Sequence, residues 1–250
     1  SRAICKDILL HSSGEIWISM EERLFIISEN KVHIFFFNCK RLTEEPDGSV
    51  LISNYSGVIR AKDKEMLAPF RDQFSDWWKY LMIHGRAEAA LHDQRGRLFV
   101  GRHSGLSLYH VDGTPWPASF LDRHPISEYQ VNDLAETRTG EVLVATQGMG
   151  LVVIRDTSIR VIDQTMGLPS DVCKKIFVDR KNRIWLGTSN GISRLIPVSP
   201  EEYEIRVYGK ADGVAFSEVN DLFVEEDTIW AGTSEGLLRI VDGPPSPGTE

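Results

Sequence analysis

Two pentapeptides in the sequence fit the G-x-S-x-G pattern of serine hydrolases. They are Gly187-Thr-Ser-Asn-Gly191 and Gly232-Thr-Ser-Glu-Gly236. A nucleophilic serine in this pattern needs a strand before it and a helix after it, so that a strained turn exposes the hydroxyl. Here a strand-like apolar segment follows each pentapeptide, and two nucleophiles at equivalent places would be unusual. We therefore interpret both as hairpin turns and predict no catalytic residue.

The histidines and cysteines do not have the spacing of a metal site. No two of the seven histidines form an HxH or HxxxH pair. The three cysteines, Cys5, Cys39 and Cys173, make neither a CxxC pair nor a disulfide framework. Each is expected to be a small buried hydrophobe at the start of a strand. The sequence thus predicts no metal and no cofactor.

Another group of residues suits the binding of a polar ligand. Amides, hydroxyls and a few charges recur in turns, where they either bind a polyhydroxylated ligand through directional hydrogen bonds or simply cap the turns. Two aromatic segments, residues 62–86 and 110–130, provide either rings for sugar stacking or local packing, and the first also suits a dimer contact. The candidate ligand-binding residues are Asn54, Tyr55, Trp77, Trp78, Arg102, His103, Trp116, Gln147, Asn190 and Glu235.

A repeat must position these residues. A turn residue, an alternating apolar strand, a small residue and a second apolar strand recur six times, at intervals of 34 to 48 residues. Such a period is typical of the blades of a β-propeller, and a single blade cannot bury both of its faces. The large apolar residues of the six copies are Trp17, Leu51, Phe99, Leu143, Trp185 and Trp230. The small residues two positions later are Ser19, Ser53, Gly101, Ala145, Gly187 and Gly232.

The repeat predicts an all-β fold, a β-propeller of four-stranded antiparallel blades. Six motifs indicate a six-bladed propeller or part of a seven-bladed or larger array. We expect the tryptophans Trp17, Trp185 and Trp230 to fill the gaps between blades, where a small residue lets the next blade approach. In the insertion at 62–86 the apolar residues have helical spacing, which predicts either an amphipathic helix or an outermost strand.

Composition narrows the possible partners. The chain has 250 residues and a net charge of −8, without a long basic run, which argues against a nucleic-acid partner. Neither a membrane span nor a signal peptide is visible, so we interpret the chain as a mature or excised segment. Residues 1–242 are predicted to form the propeller, and residues 243–250 a linker rich in Pro and Gly.

The fifth copy closely resembles the two-component regulator propeller repeat. The resemblance rests on Gly167-Leu-Pro-Ser-Asp-Val172, Ile184-Trp-Leu-Gly-Thr188 and Asn190-Gly-Ile-Ser-Arg-Leu195. It is strong over residues 87–240 and weaker in the first two copies. In that family such repeats form the extracytoplasmic sensor of hybrid two-component systems, mainly in Bacteroidetes-like bacteria.

The resemblance implies a function in sensing. We expect a non-catalytic periplasmic module of a membrane-anchored sensor, which binds a small polar or carbohydrate ligand on the propeller axis. Its expected partners are an immunoglobulin-like domain and a kinase downstream, with a homodimer as a further possibility. Two alternatives stay open: a scaffold for protein interaction or dimerisation, and a polysaccharide lyase or hydrolase built on a propeller.

Overall fold

The computed structural model describes residues 5–71, 77–199, 201–209, 212, 214 and 218–243. The chain divides into two compact units, Ser1–Asp122 and Arg123–Glu250. The described residues form six antiparallel sheets of three or four strands each. In each sheet the strands follow one another in chain order, as expected for blades connected by hairpins. The all-β prediction is confirmed.

The first unit contains three blades. The strands of the first blade are β1 (Cys5–Leu10), β2 (Ile16–Met20), β3 (Leu24–Ser28) and β4 (Lys31–Phe35). Those of the second are β5 (Arg41–Glu44), β6 (Val50–Asn54), β7 (Gly57–Ala61) and β8 (Leu81–His84). The third has β9 (Ala89–His92), β10 (Arg97–Arg102) and β11 (Gly105–His110), followed by the short helix α1 (Ser119–Asp122).

The second unit also contains three blades. Its first blade has β12 (Val131–Glu136), β13 (Val142–Thr146), β14 (Leu151–Arg155) and β15 (Ser158–Ile162). The next has β16 (Cys173–Val178), β17 (Ile184–Thr188), β18 (Gly191–Ser199) and β19 (Glu202–Tyr208). The last has β20 (Val219–Glu225), β21 (Thr228–Thr233) and β22 (Gly236–Val241). Single 3-10 turns, Pro125–Ser127 and Gln164–Met166, lie in the connections.

Alternating apolar side chains place the core between the sheets. Trp17 and Trp185 are almost completely buried, as expected for residues that fill the space between blades. Trp230 departs from this expectation because it is only partly buried. It shares one face of the last sheet with its cross-strand neighbours Phe223 and Arg239, and that face is largely exposed.

The insertion in the second blade does not form the predicted amphipathic helix. Its described residues form two 3-10 turns, Lys64–Phe70 with Pro69 inside it and Trp77–Tyr80, and then the outermost strand β8. Proline lacks the N–H that a longer helix requires at this place, so a regular helix cannot continue through Pro69. The alternative prediction, an outermost strand, is confirmed for Leu81–His84, while residues 72–76 lie outside the described part.

Two further expectations need correction. The third and the last sheets have three strands rather than four among the described residues. Cys5, at the start of β1, is exposed and so is not the buried hydrophobe that was expected. Cys39 and Cys173 are buried as predicted, and burial raises the pKa of the Cys39 thiol to about 12.

Two kinds of feature are absent from the described residues. None of their helices has the length and apolar character needed to cross a membrane. Within the same residues, no group of three or more His, Cys, Asp or Glu side chains is arranged to hold a metal ion.

Candidate functional site

Both G-x-S-x-G pentapeptides are hairpin turns. The hydroxyl of Thr188 donates to the carbonyl of Gly191 at 2.9 Å and accepts the N–H of Asn190 at 3.1 Å. Thr233 makes the same two contacts in the last blade. A strand, not a helix, follows each turn. The interpretation as turns is therefore confirmed.

Buried carboxylates join the first strands of neighbouring blades within each unit. In the first unit, Oδ2 of Asp7 accepts the N–H of Leu42 at 2.8 Å. In the second, Oδ2 of Asp133 accepts the N–H of Ile176 at 3.0 Å. Hydrogen bonds of this kind to a buried charge are stronger than those between neutral groups. They fix the beginnings of adjacent first strands against each other, and the polar residues around those beginnings are the candidate site.

In the first unit, four side chains form what we call the cationic cluster: Lys40, Tyr55, Arg86 and Glu88. The ammonium of Lys40 lies 4.3 Å from the centre of the Tyr55 ring, and the guanidinium carbon of Arg86 lies 4.9 Å from it. Lys40 also forms an ion pair with Glu88, and Nε of Arg86 donates to Glu88 at 2.6 Å. Tyr55 itself is 45% exposed to solvent. The cluster therefore combines an accessible ring with two cations and one carboxylate.

Burial lowers the pKa of the Lys40 ammonium. The positive charges of Arg86 and Lys6 lower it as well, although the contact with Glu88 acts in the opposite direction. Like charges are thus held close together here, an arrangement that an anion would stabilise.

The turn that presents Tyr55 is built by Asn54. This asparagine is buried, and its Oδ1 accepts the N–H groups of Ser56 at 2.7 Å and Gly57 at 3.0 Å. Gly57 has φ +154, and a Cβ added there would lie 1.8 Å from the carbonyl oxygen of Ile83 on β8. Only glycine permits this close approach of backbone. Asn54 thus shapes the turn, and Tyr55 is the residue of the pair that reaches the surface.

Arg102 holds the backbone that carries Arg86. Its guanidinium donates to the carbonyl of Gly85 at 2.8 Å, to that of Arg86 at 3.1 Å and to the Tyr109 hydroxyl at 2.8 Å. The neighbouring His103 is exposed in the turn before β11. Arg102 therefore positions the loop before β9, because most of its donors are engaged by the protein itself.

The second unit has an equivalent but different group, which we call the amide cluster: Asn132, Gln147, Lys174 and Asn220. Nδ2 of Asn132 donates to Oε1 of Gln147 at 3.0 Å and to the carbonyl of Cys173 at 2.7 Å. Lys174 lies 3.4 Å from Oδ1 of Asn220. Gln147 is exposed. Uncharged amides dominate this cluster, so it offers paired donors and acceptors for hydroxyl groups.

The remaining candidates lie apart from these two clusters. The half-buried Trp116 packs on His110, with ring centres 4.3 Å apart. Asn190 is exposed and donates to the carbonyl of Pro169 at 3.2 Å, and Glu235 is exposed in the last hairpin. Trp77 and Trp78 begin a 3-10 turn, and their side chains lie outside the described part.

Sequence reasoning missed three members of the cationic cluster, Lys40, Arg86 and Glu88. All three lie within three residues of the beginning of a first strand, at the end where the hairpin between the second and third strands also lies. A charged residue just before a first strand was therefore the feature of the sequence that could have identified these three residues.

Comparison with known proteins finds a family model that matches the fifth copy of the repeat. The family model described as "two component regulator propeller" matches residues 167–190. The chain contains a two component regulator propeller repeat. This confirms the resemblance found in the fifth copy, and no curated protein matches the sequence.

Solved structures with the same fold include extracellular domains of hybrid two component systems. The chain is similar to the extracellular domain of the hybrid two component system BT3049 from B. thetaiotaomicron, with a TM-score of 0.72 and 17% identity over 94% of this chain and 33% of that one. For the corresponding domain of BT4673 from the same organism, the TM-score is 0.71 and the identity 13%, over 97% and 35%. The chain therefore spans about a third of the length of these structures.

An enzyme also shares the fold. Virginiamycin B lyase from Staphylococcus aureus, in a catalytically inactive form with quinupristin, matches with a TM-score of 0.68 and 12% identity, over 95% of this chain and 80% of that one. At such identities the likeness establishes the β-propeller fold, which confirms the predicted fold class, and it leaves function to the site.

Proposed function

We propose that the chain is a ligand-sensing, non-catalytic propeller module from the extracytoplasmic part of a two-component sensor. The observation that carries the proposal is the two component regulator propeller repeat at residues 167–190. The likeness to extracellular domains of hybrid two component systems supports it. On this proposal, the ligand is a small polar molecule such as a glycan fragment, and immunoglobulin-like and kinase domains follow in the full-length protein.

The geometry supports binding at the beginnings of the first strands. There each unit presents accessible polar groups on strands that buried carboxylates hold in place, with Tyr55 in one unit and Gln147 in the other. A rigid support of this kind lowers the entropic cost of binding. A ligand bound there favours one arrangement of domains or protomers, and that preference is the signal passed to a kinase.

A binding experiment with product analysis tests the proposal. The protein is titrated calorimetrically with a panel of neutral and acidic oligosaccharides, and each mixture is then analysed for new chain ends. We expect saturable binding of at least one oligosaccharide without cleavage. Tyr55→Ala or Gln147→Ala should weaken that binding about tenfold, the loss expected for one or two good polar contacts.

Glu204→Ala provides the control, because Glu204 is exposed on the outermost strand β19, away from the first strands. It should bind as the unsubstituted protein does. Cleavage of a bound oligosaccharide would overturn the non-catalytic assignment, and the absence of saturable binding across the panel would overturn the sensing assignment.

A further inference from the structure

We propose that the cationic cluster of the first unit recognises an anionic group on the ligand, a carboxylate or a sulfate carried by an acidic oligosaccharide. This inference rests on the proposed function and specifies the class of ligand. Lys40 and Arg86 supply the positive charge, the Tyr55 ring contacts both cations, and Glu88 pairs with both of them.

The local charge differs in sign from that of the whole chain. The protein has a net charge of −8, yet Lys40 and Arg86 share the single carboxylate of Glu88. Lys6 lies close enough for its charge to act on Lys40 as well. A cluster with excess positive charge on an acidic protein attracts anions selectively, because the rest of the surface repels them.

The two cations are already in place for a ligand. The carbonyl of Arg86 is held by Arg102, and the guanidinium of Arg86 lies over the Tyr55 ring while its Nε is bonded to Glu88. Its side chain is nevertheless 46% exposed. A guanidinium has five N–H donors in a planar fork that matches a carboxylate or sulfate, so one bond to Glu88 does not exhaust it.

The second unit supplies an internal comparison. Ser53 and Gly187 are the small residues of their repeats, and they pair with Arg41 and Lys175 on the first strands of their blades. Lys40 and Lys174, one residue earlier, therefore occupy equivalent positions. Lys174 forms an ion pair with Glu218, where Lys40 has Arg86 beside it. The equivalent places in the second unit therefore carry no excess positive charge. The cationic character of the first unit is a property of its own side chains and not of the repeat.

Calorimetric titration of the full chain tests the inference. The charged probes are oligogalacturonates and sulfated disaccharides, and the neutral probes are the methyl-esterified oligogalacturonates and the unsulfated disaccharides. At least one charged probe should bind, and its esterified or unsulfated form should bind at least about tenfold more weakly. Salt at 0.3 M should weaken the binding of the charged probe and leave the binding of the neutral form unchanged. Arg86→Gln should weaken the charged probe about tenfold. Arg86→Glu, which reproduces the residue type found at Glu218, should abolish its binding.

Arg71→Gln is the matched control, because Arg71 is another half-exposed arginine of the first unit that pairs with a carboxylate, Glu65, and it belongs to neither cluster. It should leave binding of the charged probe unchanged. Arg86→Gln should keep the thermal unfolding midpoint of the unsubstituted protein, since the side chain is half-exposed. Saturable binding of neutral probes alone, or of charged probes equally with and without Arg86, would overturn this inference and keep the proposed function. If none of these probes bound, the inference would be overturned, and the proposed function would be overturned as well if no oligosaccharide of the wider panel bound.

Discussion

At the scale of single residues, one aspartate organises the first hairpin of a blade. Oδ1 of Asp179 accepts the N–H of Arg183 at 2.9 Å, and its Oδ2 accepts Nε of Arg183 at 2.5 Å and the indole N–H of Trp185 at 3.0 Å. Asp93 bonds Arg97 in the same way in the third blade. The carboxylate thus ties the turn to the large residue that fills the space between blades.

Asp179→Asn should lower the free energy of unfolding at pH 7 by about 2–3 kcal/mol, because the amide turns one acceptor into a donor that faces buried N–H groups. Urea denaturation followed by tryptophan fluorescence measures the loss. Asp112→Asn is the control, since the Asp112 carboxylate accepts its hydrogen bonds from Thr114, two residues further on, in an exposed turn. It should change stability little. Equal losses in both variants would contradict the role given to Asp179.

The difference in unfolding free energy between the unsubstituted protein and Asp179→Asn should depend on pH. Burial acts to raise the pKa of Asp179, but the hydrogen bonds from Trp185 and Arg183 outweigh it and hold the pKa below its ordinary value of 3.8. A carboxyl whose pKa is lower in the folded state stabilises the fold fully above its ordinary pKa. That contribution disappears as the pH falls through the lowered value. The difference between the unsubstituted protein and Asp179→Asn should therefore shrink as unfolding is measured from pH 7 towards pH 3.

At the scale of elements, one small residue of the repeat, Gly187, marks a close approach of adjacent blades. A Cβ added to Gly187 on β17 would lie 2.8 Å from Cγ1 of Val219 on β20, in the next blade. At the equivalent position in the last blade, a Cβ added to Gly232 would lie 3.8 Å from Asp221 of its own sheet, an ordinary contact. The same residue type therefore lies tightly against the neighbouring blade at Gly187 and makes an ordinary contact within its own sheet at Gly232.

Gly187→Ala should destabilise the protein by about 1–3 kcal/mol, the usual cost of an extra methyl group in a well-packed contact. Gly232→Ala should be neutral or slightly stabilising, because alanine restricts the unfolded chain and suits a strand better than glycine. Differential scanning calorimetry of the two variants measures both effects. If Gly232→Ala were as costly as Gly187→Ala, the loss would belong to the strand and not to the approach of the blades. Val219→Ala should relieve the loss in Gly187→Ala if the contact causes it.

At the scale of the whole molecule, the strands were predictable and the site largely was not. Alternating apolar residues and turn residues act locally, so segments such as Ile184–Thr188 were identified from their own sequence. The cationic cluster joins residues 40, 55, 86 and 88, and their meeting depends on how two blades stack, which no local pattern encodes. The sequence pointed to Tyr55 because it lies in a turn, whereas it gave no reason to include Lys40 and Arg86 among the candidates.

The last described residues of the second unit show the same dependence on distant partners. The carboxylate of Asp242 follows β22 and is buried, with its side chain 4% exposed. It accepts hydrogen bonds from Arg183 and Arg206, each at 3.1 Å, and from the Tyr208 hydroxyl at 2.5 Å, and it forms an ion pair with Arg194. Burial raises the pKa of Tyr208, and the neighbouring Asp242 raises it further. One side chain thus secures the end of the last sheet to the preceding blade.

Asp242→Ala should lower the free energy of unfolding by about 3–5 kcal/mol, because it leaves buried cations without their shared anion. Adding Arg194→Met should recover part of this loss, since fewer charges then stay uncompensated. Asp227→Ala is the matched control: it removes another carboxylate from Arg183, but one whose side chain is half-exposed. Hydrogen exchange of the β22 amides should accelerate in Asp242→Ala and not in Asp227→Ala. If both variants exchanged alike, Asp242 would not be what holds the last strand in place.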